Sequence, residues 1–212
     1  QLFESDINPI FQCLSENYLN ANSPDLKIAF FDIEADFDPE KGFSTPSDPF
    51  MPITAISVSL QWLDSLVTFA VPPKTMSIEE AKEITKGIDN LYLYKDEGEM
   101  LKAFLDIIQD ADVLSGWNSE GYDIPYVINR IQKVLSKDDT RKLCLWKQLP
   151  KKRVFERFGR EQETYDLVGR VHLDSLELYR KYTYEERHSY RLDAIGEHEL
   201  GEKKTVYEGS LD

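Results

Sequence analysis

Hydrophobic and polar positions change period several times along the chain, and each change marks an element. The stretch Lys27-Ile-Ala-Phe-Phe-Asp-Ile-Glu34 is apolar at five of the six positions 28–33, the pattern of a strand buried on both faces. Ile56, Val58, Leu60 and Trp62 alternate through 54–63 and predict a second strand. Residues 66–71 predict its hairpin partner, with only Asp64 and Ser65 between them. With the first strand they make an antiparallel meander. Helical spacing appears at Phe11, Leu14 and Tyr18, and again at Met100, Leu101, Phe104, Ile107 and Ile108, where an amphipathic helix covers 97–109. Ser77-Ile-Glu-Glu80 is a capping box that opens a helix over 77–87. Short strands are predicted at 91–94, 112–117 and 171–174, and a β-hairpin from 153–158 and 163–168 about Gly159-Arg160. Further helices are predicted at 124–135, opened by Asp123 with Pro125 in its first turn, at 137–146, at 175–182, and at 192–200, ended by Gly201. This order reads as an α/β sheet with helices on its faces.

Two acids, Asp32 and Glu34, stand at the end of the first strand. Residues two apart on a strand share a face, so both carboxylates point the same way out of an apolar element. Like charges this close repel, and burying them unpaired is costly. A divalent cation with oxygen ligands relieves both problems; the competing reading is a strand end running into a solvated acidic loop. Open α/β sheets place their sites at strand C-terminal ends, near a switch in strand order. Asp123 follows the strand that ends at Trp117. If that strand lies beside and parallel to the first, three carboxylates meet at one rim. The connection 35–52, with Pro39, Pro46, Pro49 and Pro52, is long enough to suggest a functional loop.

Composition narrows the picture. At 212 residues, 41% of them hydrophobic, the chain suits one domain, or one domain with an appendage. No apolar run approaches the roughly 18–20 residues that span a bilayer, so no membrane partner is expected. Cys13 and Cys144 lie far apart and, like the three histidines, show no metal-ligand spacing; buried thiols in a reducing compartment are the expected state. The net charge of −14 argues at first against nucleic acid. Yet between Arg130 and Arg160 eleven basic residues face only Asp138, Asp139 and Glu156. An anionic molecule of this kind can present one cationic face to phosphates.

Three acids in one pocket, with no Ser or Cys triad and no glycine-rich phosphate cradle, favour metal-assisted phosphoryl chemistry. Two divalent ions about 3.5–4 Å apart activate a water and steady the leaving 3′ oxygen. Carboxylates suit Mg2+ or Mn2+. On that scheme Asp32 and Glu34 hold the ion that activates water, and Asp32 bridges to the second.

Phe31-Asp-Ile-Glu34, taken with Gly116-Trp-Asn-Ser-Glu-Gly-Tyr-Asp-Ile-Pro-Tyr126, resembles the first and second exonuclease motifs of family B DNA polymerases. Within that family the similarity is strongest to the replicative enzymes of T-even-type bacteriophages. It extends over nearly the whole chain. Phe3-Glu-Ser-Asp-Ile7 resembles the lead-in before the first motif, and Gly42-Phe-Ser-Thr-Pro46 a loop whose phenylalanine contacts single-stranded DNA. The hairpin over 153–168 resembles one that separates primer end from template. Leu173-Asp-Ser-Leu-Glu-Leu-Tyr179 and Ser189-Tyr-Arg-Leu-Asp-Ala-Ile195 also follow the family pattern.

The resemblance implies a ribonuclease H-like exonuclease fold: a mixed five-stranded sheet with helices on both faces and an inserted β-hairpin. It implies a lead-in over 1–25 and a 3′→5′ proofreading exonuclease domain over 26–212. Asp32, Glu34 and Asp123 become the catalytic acids and metal ligands, for two Mg2+ (or Mn2+) ions. Asn118 lies beside the terminal nucleotide, while Phe43 and Tyr122 contact DNA or pack nearby. From the basic stretch, and not from the resemblance, Lys151, Lys152 and Arg153 are expected to bind DNA; His172 and Asp174, on a strand, are expected to be structural. The implied partners are a single-stranded 3′ end or primer-template and the remaining domains of a polymerase, in the cytoplasm of a bacterial host.

The pattern also breaks. The family's third motif, Tyr-X-X-X-Asp, supplies a fourth carboxylate and a water-orienting tyrosine. Its one match here, Tyr92-Leu-Tyr-Lys-Asp96, precedes the second motif and is a coincidence of spacing. The chain begins without Met and shows no polymerase palm motif, so a piece of a larger enzyme is expected, with a naturally split polymerase as the alternative. Alone, such a piece is expected to bind a second cation poorly and to cleave slowly or not at all. A non-catalytic DNA-binding module of the same fold, or a stand-alone DNA or RNA exonuclease, are the remaining readings.

Overall fold

The computed structural model describes residues 7–157 and 159–205, with the backbone alone at 157 and 160. The expected lead-in motif at Phe3 to Ile7 therefore lies almost wholly outside the described residues. Strands β1 (Ile28–Ala35), β2 (Ile53–Leu60) and β3 (Ser65–Ala70) form the antiparallel meander. The expected two-residue link between β2 and β3 is instead a single 3-10 turn, Gln61–Leu63, closed by Asp64 in the left-handed region. Strand β4 (Leu91–Leu93) adds to β3 in parallel, and β5 (Val113–Gly116) adds to β1 in parallel. The two-stranded hairpin β6 (Lys151–Arg157) and β7 (Arg160–Asp166) stands apart. Strand β8 (Val171–Asp174) completes the sheet beside β5, giving the order β4-β3-β2-β1-β5-β8. The sheet is mixed, as expected, but has six strands rather than five. The additional edge position is held by β4, whose three residues pair with Thr68, Phe69 and Ala70.

Helix α1 (Pro9–Tyr18) follows an Asn8 cap and buries none of its residues. Helix α2 (Ile78–Ile84) opens on the capping box read from the sequence, with Ser77 and Glu80 exchanging bonds. Helices α3 (Glu97–Ile107) and α4 (Asp123–Val134) cover one face of the sheet. Their apolar stripes, Met100, Leu101, Phe104 and Leu105 with Ile124, Val127, Ile128 and Ile131, bury Phe31, Ile33, Ile56 and Val58. The Phe31 and Phe104 rings stand 5.6 Å apart at the centre of this layer. Helices α5 (Ser175–Tyr182) and α6 (Leu192–Leu200) follow β8, and Gly201 ends the last of them with φ 73°, the left-handed turn that glycine adopts without a Cβ penalty. Among the described residues no helix is long and apolar enough to cross a membrane.

Further expectations are corrected: Cys144 is buried as expected, but Cys13 is exposed. β1 is not buried on both faces: burial alternates along it, with Ala29, Phe31 and Ile33 inside and Phe30, Asp32 and Glu34 open. On this face Phe30 pairs with Ser59 of β2 and stays 43% exposed. The expected basic helix over 137–146 is a short 3-10 helix, Asp138–Leu143. Its bonds run i to i+3, and positive φ at Trp146 and Lys147 excludes any helical continuation.

Candidate active site

The three expected acids are placed by the way β5 parts from β1. The two strands pair in parallel from Ile28 to Phe30 against Val113 to Ser115, and then separate. Beyond that point, among the described residues, the β1 backbone has no partner strand on this side. The Ile33 amide donates instead to the Asp123 carboxylate, at 3.2 Å. Asp123 is the first residue of α4 and is 3% exposed, so its carboxyl takes the place of the missing ladder bond. Asp32 and Glu34 flank that amide on the open face of β1.

Just past the last paired residues, Gly116 still lies close against β1. A Cβ there would lie 2.7 Å from the Phe31 carbonyl oxygen and 2.9 Å from the Ser119 Cβ. Gly116→Ala is expected to cost about 1–3 kcal/mol, because backbone must move to admit the methyl. Thermal melting measures this; an unchanged midpoint contradicts the stated close approach.

Electrostatics set Asp123 apart. Burial first, and the neighbouring Asp32 carboxylate second, push its pKa from the usual 3.8 up to about 7, against the lowering effect of the Ile33 amide. Asp32 is also raised, by desolvation at the crowded rim, and Lys204 pulls it partly back. The unfolded chain loses the Asp123 proton near 3.8, the folded chain near about 7. Between those values the folded chain binds the extra proton, so stability from this group is full at the acid end and lost as pH rises through 7. Without divalent ions, wild type is expected to lose on the order of a few kcal/mol relative to Asp123→Asn between pH 5 and 8. Denaturant titrations at the two pH values measure the difference, and parallel behaviour contradicts it.

The surrounding residues sort by what they touch. Asn118 is exposed with φ 61°, and its carbonyl accepts the amides of Gly121 and Tyr122, closing the tight loop read from the sequence. Asp174 is 7% exposed and spends its carboxylate on the amides of Asn118, Glu120, Leu176 and Glu177. It fixes the loop before Asp123 and caps α5. His172 accepts or donates at Ser119 Oγ, 2.9 Å away, and burial holds its pKa below the usual value. Both are structural, as expected. Tyr122 is half-buried, its ring centroid 5.4 Å from that of Tyr126. Burial, then Tyr126, Asp123 and Glu34, push its pKa to about 12. Phe43 is 68% exposed on the 35–52 loop, 4.8 Å from the Phe37 ring.

The hairpin cations divide. Arg153 is bound to Glu120 and Asp166, and Lys152 to Glu163 at 2.6 Å. Lys151 is exposed and has no ion pair among the described residues. Lys204, whose charge reaches Asp32, was not singled out from the sequence; its only signal there is the pair Lys203-Lys204 just past the last helix.

Among the described residues no three Asp, Glu, His or Cys side chains are drawn together tightly enough to hold a metal ion as they stand. The donor set nevertheless suits a hard divalent cation. All three groups are oxygen donors, and the most buried, Asp123, has no cationic partner within the described residues.

A mixed sheet with a buried acid at the gap beside its central strand defines an α/β domain with an acidic candidate site. Residues 2–195 match the family model described as "DNA polymerase family B, exonuclease domain". The chain belongs to that family. It is 31% identical over 205 residues to the DNA-directed DNA polymerase of Escherichia phage RB69, covering 88% of this chain and 22% of that protein. It is 26% identical over 142 residues to the DNA-directed DNA polymerase of Enterobacteria phage T4, covering 65% and 16%. The DNA polymerase delta catalytic subunit of Candida albicans is 34% identical over 129 residues, covering 57% and 12%. The chain thus spans about a fifth or less of the length of these curated relatives.

Proposed function

We propose that the chain is the 3′→5′ proofreading exonuclease domain of a replicative DNA polymerase, hydrolysing the terminal phosphodiester of single-stranded DNA. The observation that carries this reading is the seating of Asp123 on the Ile33 amide, between Asp32 and Glu34, at the point where β1 and β5 separate. On this reading residues 1–25 are a lead-in and 26–212 the exonuclease unit, acting with other polymerase domains in a bacterial cytoplasm.

Asp32, Glu34 and Asp123 would hold two Mg2+ or Mn2+ ions. When bound, these ions supply the activation of water and neutralisation of the leaving oxygen. The chain's own residues do the rest. Burial raises the Asp123 pKa to about 7, so a bound cation would favour its ionised form. The Lys204 ammonium adds positive charge beside Asp32. Phe43 and Tyr122 offer faces for stacking, a sequence-tolerant grip worth about 1–3 kcal/mol per base. Asn118, exposed on its tight loop, lies beside the terminal nucleotide.

A single-stranded oligonucleotide labelled at either end, digested with and without Mg2+ or Mn2+, tests the proposal. Metal-dependent shortening from the 3′ end supports it. DNA binding without cleavage, in the chain and in a full-length polymerase carrying it, returns the reading to a non-catalytic module. Substituting Lys151, Lys152 and Arg153 together with Ala is expected to weaken DNA binding and to flatten its dependence on salt by up to about three counterions. Since Lys152 and Arg153 already have carboxylate partners, most of that change should appear in Lys151→Ala alone. An unchanged salt slope assigns these charges to the hairpin's own structure.

A further inference from the structure

Helix α4 carries more than Asp123. Its polar side chains also bond two separate elements, and one side chain bonds both. The Asn129 Nδ2 donates to the Pro46 carbonyl in the 35–52 loop, at 2.7 Å. Its Oδ1 accepts from the Tyr165 hydroxyl of β7, at 2.8 Å. These partners fix the amide's orientation, since turning it over would set Oδ1 against the Pro46 oxygen.

The neighbours of Asn129 secure one element each or neither. Tyr126 donates to Met51 O at 2.8 Å and is bonded to Ser44; Arg130 donates to Pro49 O at 2.9 Å. Of the two elements, both reach only the loop, and Arg130 also pairs with Glu97 of α3. Thr164 and Arg153 tie the hairpin to Glu120, not to the loop. Among the described residues, Asn129 is the side chain whose hydrogen bonds join loop and hairpin directly.

We propose that Asn129 is a positioning residue that makes the Phe43 loop and the β6-β7 hairpin one strand-gripping unit, in register with Asp123 on the same helix. The inference rests on the proposed function, which sets Phe43 and the hairpin against DNA. The amide donates to one element and accepts from the other at the same time, which Leu, Ala and an ionised Asp do not. Coupled in this way, seating of a base at Phe43 restricts the hairpin, and displacement of the hairpin loosens the loop.

The test has one arm without DNA and one with it, both on the chain itself. In hydrogen exchange, Asn129→Leu is expected to speed amides in both the loop and the hairpin by tenfold or more. Tyr165→Phe, which removes one hydroxyl and keeps the fold, is expected to speed only the hairpin. Acceleration confined to one element in Asn129→Leu, or in neither, overturns the coupling.

In the second arm an oligonucleotide with 2-aminopurine at its 3′ end is bound in Ca2+. The losses from Phe43→Ala and Lys151→Ala are expected to be non-additive by about fivefold in wild type, and additive in the Asn129→Leu and Tyr165→Phe backgrounds. A merely structural residue would lower affinity without changing that coupling. Equal coupling in all backgrounds, or additivity in wild type, overturns the inference. Failure of the unsubstituted chain to bind the oligonucleotide overturns the proposed function and the DNA role together, while the exchange arm still decides whether Asn129 joins the two elements.

Discussion

On the proposed function, Asp32→Ala is expected to lower 3′ hydrolysis by a polymerase that carries this domain by about a thousandfold or more, and to leave the fold intact. The size follows from the role: losing one ligand of a catalytic cation removes several kcal/mol of transition-state stabilisation, and about 4 kcal/mol is a thousandfold. The intact fold follows from the surroundings. Asp32 lies on the open face of β1, and its carboxylate makes no hydrogen bond among the described residues. Its charge raises the pKa of Asp123, so its removal relieves a repulsion. The variant should therefore melt at or slightly above wild type when metal is withheld. Digestion of a 3′-mismatched primer and a thermal melt measure both effects. Proofreading at the wild-type rate would remove Asp32 from the site.

Glu97→Ala unfolds far more than it inactivates. Glu97 receives the Arg130 guanidinium through two nitrogens, and the two side chains are 10% and 7% exposed. The same carboxylate accepts the Ile53 amide at the start of β2, at 2.8 Å. Arg130 in turn holds the Pro49 carbonyl. Removing Glu97 strands a buried cation and an amide at once. The expected loss is about 3–5 kcal/mol, a fall in melting temperature of roughly 10 °C for a domain of this size. Denaturant titration gives the energy directly. A loss below about 1 kcal/mol would mean that water reaches Arg130 and replaces its partner.

Local signals carried well from sequence to structure. The Ser77 capping box, the stripe from Met100 to Ile108 and the glycine stop at Gly201 are each decided within a few residues, and each forms as read. Alternation at Asp32 and Glu34 correctly placed both acids on one face. The same run misled about burial, because five apolar positions do not say whether a second layer covers Phe30. The basic run after Lys137 has helical composition, but only the left-handed backbone at Trp146 and Lys147 reveals why no longer helix forms.

What escaped is long-range and polar. The Glu97–Arg130 pair, the Asp174 carboxylate under the Asn118 loop, and Asn129 between Pro46 and Tyr165 join residues far apart in the chain. No periodicity encodes such contacts. Charge counting over 130–160 likewise left out Glu120, Glu163 and Asp166, the carboxylates that Arg153 and Lys152 already meet.

The central claim is that Asp32, Glu34 and Asp123 converge on shared cations, and Mn2+ titration of the isotopically labelled chain followed by NMR tests it most directly. Paramagnetic broadening should begin at the amides of Ile33, Glu34 and Asp123, and Asp32→Asn should shift it to clearly higher Mn2+ concentration. Broadening centred on another acidic stretch, or the same titration in Asp32→Asn, would contradict the claim.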